Sequence, residues 1–133
     1  MHNDKEALAP CVQAGGASIR GNDWGGLNVA HISFPKGTDA RPLLAGLKGD
    51  ACHAPHWGYV LKGSIHVHYG DGREEVVRAG EVYHWPAGHT VWVDEDYAAV
   101  EFSPAKEMGE VMVHLNQKLA SMAAGAQASA SAP

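Results

Sequence analysis

Apolar and polar positions alternate through the middle of the chain with the two-residue period of β-strands. Residues 28–35 alternate in this way, which indicates a strand with one buried face. Residues 64–69 repeat the pattern, and the Asp71-Gly72 pair that follows is a strong signal for a hairpin turn. Residues 56–62 form a nearly continuous apolar run, which is typical of a strand buried on both faces.

Further strands are predicted at 73–78, 82–85, 89–93 and 97–103. About eight short strands at a spacing of about 8–12 residues are typical of an all-β sandwich or barrel. Beyond them, apolar residues from Met108 to Met122 recur with a helical period, and Gly125 follows as a stop signal. The predicted organisation is an N-terminal arm that adds an edge strand (1–27), a β-barrel (28–103), a C-terminal helix (104–124) and a flexible tail (125–133).

The composition narrows the class of protein. The chain has 133 residues, of which 45% are hydrophobic and 19% charged, as in a single folded domain. Its net charge of −5 argues against nucleic acid or an anionic membrane as a partner, because both require a basic face. No apolar run suits a signal peptide or a membrane span, and the two cysteines form no CxxC motif. We therefore expect a cytoplasmic protein with reduced thiols.

Two stretches resemble the motifs of the cupin superfamily. The first is the sequence YVLKG at 59–63, and the second, at 80–88, has its glycines and proline at the spacing G-x5-P-x-G. The resemblance covers about residues 28–103 and implies a double-stranded β-helix, a jelly-roll barrel, which agrees with the strand count. The string CHAPHWGYV at 52–60 also resembles a bacterial cupin subgroup with a CxxPHWGYV-type signature, which implies no particular reaction.

The chain departs from the cupin motifs at their metal ligands. His56 stands where the family has a glutamate, and Val91 stands where it has its last histidine. Cys52 falls near the family's paired histidines, and His89 lies two residues before Val91, on the same face of an extended strand. We predict that Cys52, His56 and His89 converge inside the barrel and bind a divalent ion, Zn²⁺ foremost, with Fe, Ni or Cu as alternatives.

Other histidines compete for these roles. His53 is an alternative to Cys52, although it lies on the opposite face from His56 unless Pro55 kinks the chain. His66 and His68 form a literal HxH sequence, but they alternate with apolar positions that are expected to face inward. We therefore expect both on the outer face of the barrel.

Two residues are candidates for acid–base catalysis. Glu101, on the last predicted strand, is a candidate base or fourth metal ligand. His84 is a candidate general acid or base if it faces the interior, but it points outward if its neighbour Trp85 packs inward. Aromatic side chains are expected to line a ligand pocket: Trp57, Tyr59, Tyr83, Trp85 and Trp92.

These predictions favour a small cupin-type protein that performs metal-assisted chemistry on a small organic or aromatic acid inside its barrel. The alternative is a non-catalytic cupin that binds a small-molecule ligand without a metal. Nucleotide cofactors are not expected, because the chain has no GxGxxG or Walker sequence. We further predict a homodimer, because an open jelly roll has strand edges to pair and the helix has an apolar face.

Overall fold

The computed structural model describes residues 1–131, with side chains described to residue 125. Within these residues there are nine strands, two helices and a 3₁₀ turn. The strands are β1 (Pro10–Ala14), β2 (Ala17–Trp24), β3 (Leu27–Phe34), β4 (His56–Lys62), β5 (Ser64–Tyr69), β6 (Glu74–Arg78), β7 (Val82–Trp85), β8 (His89–Trp92) and β9 (Tyr97–Pro104). The helices are α1 (Arg41–Leu44) and α2 (Ala105–Ser131), and the 3₁₀ turn is Lys48–Asp50.

The strands form two antiparallel sheets around one core. The larger sheet has the order β1-β2-β3-β9-β4-β7, and the smaller has the order β6-β5-β8. Val60 and Ala99 of the larger sheet are fully buried together with Val67 of the smaller sheet. The alternation of inward apolar residues predicted this arrangement, and the predicted all-β jelly-roll fold with a C-terminal helix is confirmed.

The N-terminal residues contribute more than the single edge strand expected of them. Both β1 and β2 belong to the larger sheet, and β2 pairs with β3 along its whole length. The turn between β1 and β2 is built on Gly15 and Gly16, which both have positive φ angles. Residues 10–24 are therefore part of the barrel wall.

Strand β4 is not buried on both faces, as its continuous apolar run predicted. His56 and Val60 face the core, whereas Trp57, Tyr59 and Leu61 are 45%, 43% and 47% exposed. A sheet that covers the core with one face leaves its other face outside. The run is continuous because the outer face of this strand is apolar as well.

Helix α2 covers one side of the barrel. It contacts β1, β3, β9 and α1, and its buried residues Met108, Val111 and Leu115 recur at the predicted helical spacing. Met122 was predicted on the same face but is 48% exposed. No helix among the described residues is long and apolar enough to cross a membrane.

The helix continues past its predicted end. Its backbone is helical to Ser131, so Gly125 does not end it and the predicted boundary at 124 is wrong. A glycine inside a helix costs only about 1 kcal/mol relative to alanine, and the surrounding sequence is rich in alanine, the strongest helix former. The flexibility predicted for 125–133 stays a prediction, and residues 132 and 133 lie outside the described residues.

The motif glycine Gly63 has a steric reason to be glycine. It joins β4 to β5 with a φ angle of +73°, and a Cβ atom there would collide with the backbone carbonyl of Asp96. Only glycine combines this backbone conformation with so close an approach. The turn brings β5 back across the core and sets the position of the smaller sheet.

Candidate metal centre

The three side chains predicted as metal ligands converge inside the barrel. Cys52 lies just before β4 and forms an isolated antiparallel bridge with His89, the first residue of β8. The backbone N–H of Cys52 donates to the carbonyl of His89 over 2.9 Å. His56 is the first residue of β4. The Cys52 thiol and one ligand nitrogen from each imidazole all lie within 4.8 Å of one another, and all three residues are buried.

Hydrogen bonds orient both imidazole rings. His89 Nδ1 lies 2.8 Å from the carbonyl oxygen of Pro86. Because a carbonyl only accepts hydrogen bonds, Nδ1 carries the hydrogen and Nε2 keeps its lone pair. His56 Nε2 lies 3.6 Å from Cys52 Sγ, and its Nδ1 lies 2.6 Å from Ser103 Oγ. In each ring one nitrogen is held by a protein oxygen, which is how metal-binding imidazoles are usually fixed.

Burial keeps the three groups neutral at pH 7. It lowers the pKa of His56 to about 3 and that of His89 to about 4, and it raises the pKa of the Cys52 thiol to about 12. A divalent cation would reverse this balance at the sulfur, because the metal-binding form of cysteine is the thiolate. One thiol and two imidazoles are a donor set that suits Zn²⁺, and three protein ligands leave a coordination position open.

Glu101 lies beside the three ligands, not among them. Its Oε2 is 3.7 Å from Nδ1 of His56, the nitrogen on the opposite side of the ring from Cys52. The hydroxyl of Tyr83 donates to Oε1 over 2.8 Å. Burial raises the pKa of Glu101 to about 7, against the opposing effect of the Tyr83 hydrogen bond. A carboxyl group with this pKa exchanges protons readily near neutral pH.

A cavity of about 100 Å³ adjoins these groups. Cys52, His56, His89 and Glu101 all belong to its wall. The rest of the wall is mainly apolar and comes from the larger sheet, the α1 region and α2, including Ile19, Ile32, Phe34, Leu44, Val91, Met108, Val111 and Leu115. The candidate centre therefore opens onto a small apolar chamber with one ionisable carboxyl group.

Only some of the aromatic residues that were predicted to line the pocket lie in or next to its wall. Trp85 lines the cavity, and Tyr83 is buried behind it, with the two rings stacked 4.0 Å apart. Trp57 and Tyr59 lie on the outer face of β4, where alternation with His56 and Val60 places them. For these two residues the prediction is wrong, because aromatic character does not reveal which face of a strand is buried.

Trp92 also lies away from the cavity. It stacks on His66 with ring centroids 3.7 Å apart, and the guanidinium of Arg41 lies 5.3 Å from its ring centroid. It thus packs between charged and polar side chains on the outside of the smaller sheet, together with His68. His66 and His68 point away from the core, as their alternation with Ile65 and Val67 predicted.

His84 does not reach the cavity. It is exposed on the outer face of β7, where its ring stacks on Trp57 with centroids 4.7 Å apart. Trp85 takes the inward position, so alternation turns His84 outward and the prediction of an acid–base role inside the barrel is wrong. His53 is on the surface too, with Nε2 3.2 Å from Glu110 Oε2.

Sequence reasoning missed Ser103, which is 1% exposed and holds His56 in place. It lies two residues after Glu101 on β9 and therefore on the same inward face. Strand alternation was the signal that could have found it. The contribution of α2 to the cavity wall had no comparable signal, because the packing angle of a helix on a barrel is not encoded in its periodicity.

The comparisons with known proteins agree with this architecture. The protein-family model described as the cupin domain matches residues 51–100, which span β4 to β9 and include all three candidate ligands. Residues 51–100 therefore match the cupin domain, and the observed jelly-roll fold agrees with that match. The narrower subgroup resemblance at 52–60 stays a prediction. No curated protein matches the sequence.

Several solved structures share the fold. An RmlC-like cupin from Shewanella frigidimarina NCIMB 400 is 22% identical, with a TM-score of 0.56 over 79% of this chain and 91% of that one. Ectoine synthase from P. lautus is 10% identical, with a TM-score of 0.59 over 78% of this chain and 77% of that one. A cupin superfamily protein from Desulfitobacterium hafniense DCB-2 is 10% identical, with a TM-score of 0.53 over 70% of this chain and 81% of that one. At these identities the likeness extends to the fold alone.

Proposed function

We propose that this cupin binds a divalent metal ion, Zn²⁺ foremost, through Cys52, His56 and His89, and acts on a small organic acid in the adjoining cavity. The observation that carries the proposal is the convergence of one buried thiol and two oriented imidazoles within 4.8 Å. Cys52 and His56 from one segment and His89 from a distant one meet beside a chamber whose wall carries an ionisable carboxyl group. Such a combination is typical of a catalytic metal site with an open position.

The residues around the centre have separable tasks. When bound, a divalent ion supplies Lewis-acid polarisation of a carboxyl or carbonyl oxygen. Ser103 and the Pro86 carbonyl hold the two imidazoles with Nε2 towards the centre. Glu101 accepts or returns a proton at its carboxyl group, and the Tyr83 hydroxyl fixes that group by donating to Oε1. The apolar wall excludes bulk water, which strengthens these electrostatic interactions.

The size of the cavity limits the ligand. An engineered cavity of about 150 Å³ is known to hold benzene, so a chamber of about 100 Å³ suits a molecule of a few non-hydrogen atoms. Trp85 lines this chamber, and its buried indole N–H has no hydrogen-bond partner among the described residues. A carboxylate would be a suitable acceptor for it. Of the predicted substrates, small aliphatic acids therefore fit better than aromatic ones.

Metal analysis of protein purified without an affinity tag tests this proposal. We expect about one divalent ion per chain in the wild type and at least about tenfold less in Cys52→Ala and His89→Ala, because each variant removes a ligand. Cys11→Ala and His66→Ala are matched controls, since Cys11 lies on β1 and His66 on the outside of the smaller sheet. Metal that is absent from the wild type, or that persists in both ligand variants, contradicts the proposal.

A second candidate function is a binding protein without a metal. In its favour, the thiol can donate to His56 Nε2, and both Nδ1 atoms already have protein partners. The thiol and three of the four imidazole nitrogens thus have partners within the chain, as they could in a metal-free ligand pocket. The same metal analysis separates the two functions, because this one predicts a folded wild type without stoichiometric metal.

We further propose a cytoplasmic location and a homodimeric assembly for this protein. Both Cys11 and Cys52 are free thiols, which is consistent with a reducing cytoplasmic environment. The homodimer likewise stays a prediction at this point. Its two supports in the sequence, unpaired strand edges and the apolar helix face, do not say which surface would form the interface.

A further inference from the structure

The outer face of the larger sheet carries very little charge on four of its strands, β3, β9, β4 and β7. On β3, β9, β4 and β7, Lys62 at the end of β4 is the only outward side chain with a formal charge at pH 7. The other outward side chains of these strands are apolar, aromatic or uncharged polar groups, and they include Trp57, Tyr59, Phe102, Val82 and Val100. We call this surface the outer sheet face.

Four exposed apolar residues of the outer sheet face are neighbours across the strands. Phe102 pairs with Trp57, and Tyr59 pairs with Val100 on one side and Val82 on the other. Exposed fractions are 37% for Phe102, 45% for Trp57, 43% for Tyr59 and 79% for Val82. Large aromatic side chains this exposed and this close together form one contiguous patch, which is the usual sign of an interaction surface.

We infer that the outer sheet face is the interface of a homodimer, in which two copies pack β4 and β9 against each other around a two-fold axis. Two copies of one sheet face related by a two-fold axis can pack about 10 Å apart, as the sheets of a β-sandwich do. The interface would be isologous, with Trp57 and Tyr59 near its centre. Trp and Tyr are the residue types that most often dominate binding at such centres.

Charge favours a second copy over a different partner. The chain has a net charge of −5, so most surfaces of two copies repel each other. The four strands themselves present no carboxylate on this face, because Glu101, their acidic residue, is buried on the opposite face. Glu6 of the N-terminal segment lies near His31 at the β3 side, so the part of the face on β4 and β9 is where two copies can approach without facing acidic groups.

The area of the face also suits a dimer. Taking about 200 Å² for a fully exposed large side chain, its most exposed apolar residues offer on the order of 500 Å². The half-buried outward residues around them, such as Val29, His31 and Val100, add to this area. The sum approaches the about 800 Å² per partner of a standard interface.

The interface would lie on the same two strands that hold the metal centre, but it would not require a bound metal. Strand β4 carries His56 on its inner face and Trp57 on its outer face, and β9 carries Glu101 and Phe102 in the same way. A partner packed on the outer sheet face would therefore support the two strands that hold the centre. The dimer and the metal are nevertheless separate inferences, because neither uses the residues of the other.

Light scattering coupled to size-exclusion chromatography tests the inference on the full chain. For the wild type at about 50 μM we expect twice the chain mass of 14.1 kDa. Tyr59→Asp places a charge at the centre of the face, and we expect it to raise the dissociation constant of the dimer by about 30-fold or more. Val113→Asp is the matched control, because Val113 is 57% exposed on α2 and lies off the sheet. We expect it to leave the mass at that of the dimer.

A second variant keeps the test decisive if Tyr59→Asp fails to fold. Val82→Lys changes a side chain that is 79% exposed, and circular dichroism can confirm that its fold is intact. We expect it too to weaken the dimer. A monomeric wild type overturns the inference, whether it stays alone or binds phosphatidylcholine vesicles. A dimer that survives both folded variants, or that Val113→Asp disrupts equally, also overturns it.

Discussion

At the scale of single residues, the candidate centre depends on which nitrogen each imidazole presents. The Pro86 carbonyl fixes the His89 tautomer because it can only accept a hydrogen bond. Ser103 holds His56 on the side away from Cys52. Both rings are therefore positioned before any ion binds, which lowers the entropic cost of assembling the site.

Buried histidines also make the stability of the metal-free protein depend on pH. Burial lowers the pKa of His56 from 6.5 to about 3 and that of His89 to about 4. Below pH 6.5 the unfolded chain therefore binds more protons than the folded protein, and stability falls as the pH falls. Glu101 acts in the opposite direction between pH 4.5 and about 7, because its raised pKa lets the folded protein bind one more proton.

Two histidines outweigh one glutamate in this balance. We expect the free energy of unfolding of chelator-treated protein to fall by about 1 kcal/mol per pH unit between pH 6.5 and 4.5, as measured by urea denaturation. Glu101→Gln removes the opposing contribution, so its slope should be about twice as steep. A stability that is flat over this range, or an unchanged slope in the variant, would show that the histidines are not held neutral by burial.

At the scale of secondary-structure elements, β4 combines two surfaces with different tasks. Its inward residues His56 and Val60 belong to the centre and the core, and its outward residues Trp57 and Tyr59 belong to the outer sheet face. Between them, Gly58 lets the strand lie directly against the ring of Tyr83 and the carbonyl of Val100. The lack of a side chain at this position is thus a requirement of packing.

Replacement of Gly58 tests this packing. A Cβ atom in Gly58→Ala would collide with Tyr83, whose hydroxyl holds Glu101. We expect a loss of about 1–3 kcal/mol of stability in urea denaturation, the usual cost of overpacking. Gly109→Ala is the matched control, since no atom lies within 4 Å of a Cβ there and the site is helical. It should stabilise the protein by about 0.5–1 kcal/mol, and a neutral Gly58→Ala would disprove the close approach.

At the scale of the whole molecule, the sequence was most informative where one physical rule acted alone. An apolar run predicted the bounds of β4, and strand alternation predicted those of β5 and the outward position of His66 and His68. Alternation together with the cupin motifs predicted that Cys52, His56 and His89 meet. Cys52 and His56 are four residues apart, but His89 is distant from both, and the motifs and the spacing of inward positions connect it to them.

The features that the sequence did not predict depend on how the elements pack together, and local sequence patterns carry no information about that packing. His84 and Trp85 alternate, but the sequence does not say which of them faces inward. The apolar run of β4 indicated burial on both faces, because an outer apolar surface and a core look alike in a single strand. Helix α2 also forms part of the cavity wall only because it packs against the barrel.

The proposed function requires that three donor atoms bind one ion inside the barrel. An anomalous difference map from crystals of the protein, purified without an affinity tag, tests it most directly. We expect one strong peak, with Cys52 Sγ at about 2.3 Å and Nε2 of His56 and His89 at about 2.0–2.1 Å. A well-ordered barrel with no peak among these atoms, or with its metal peak at surface residues such as His66 and His68, would contradict it.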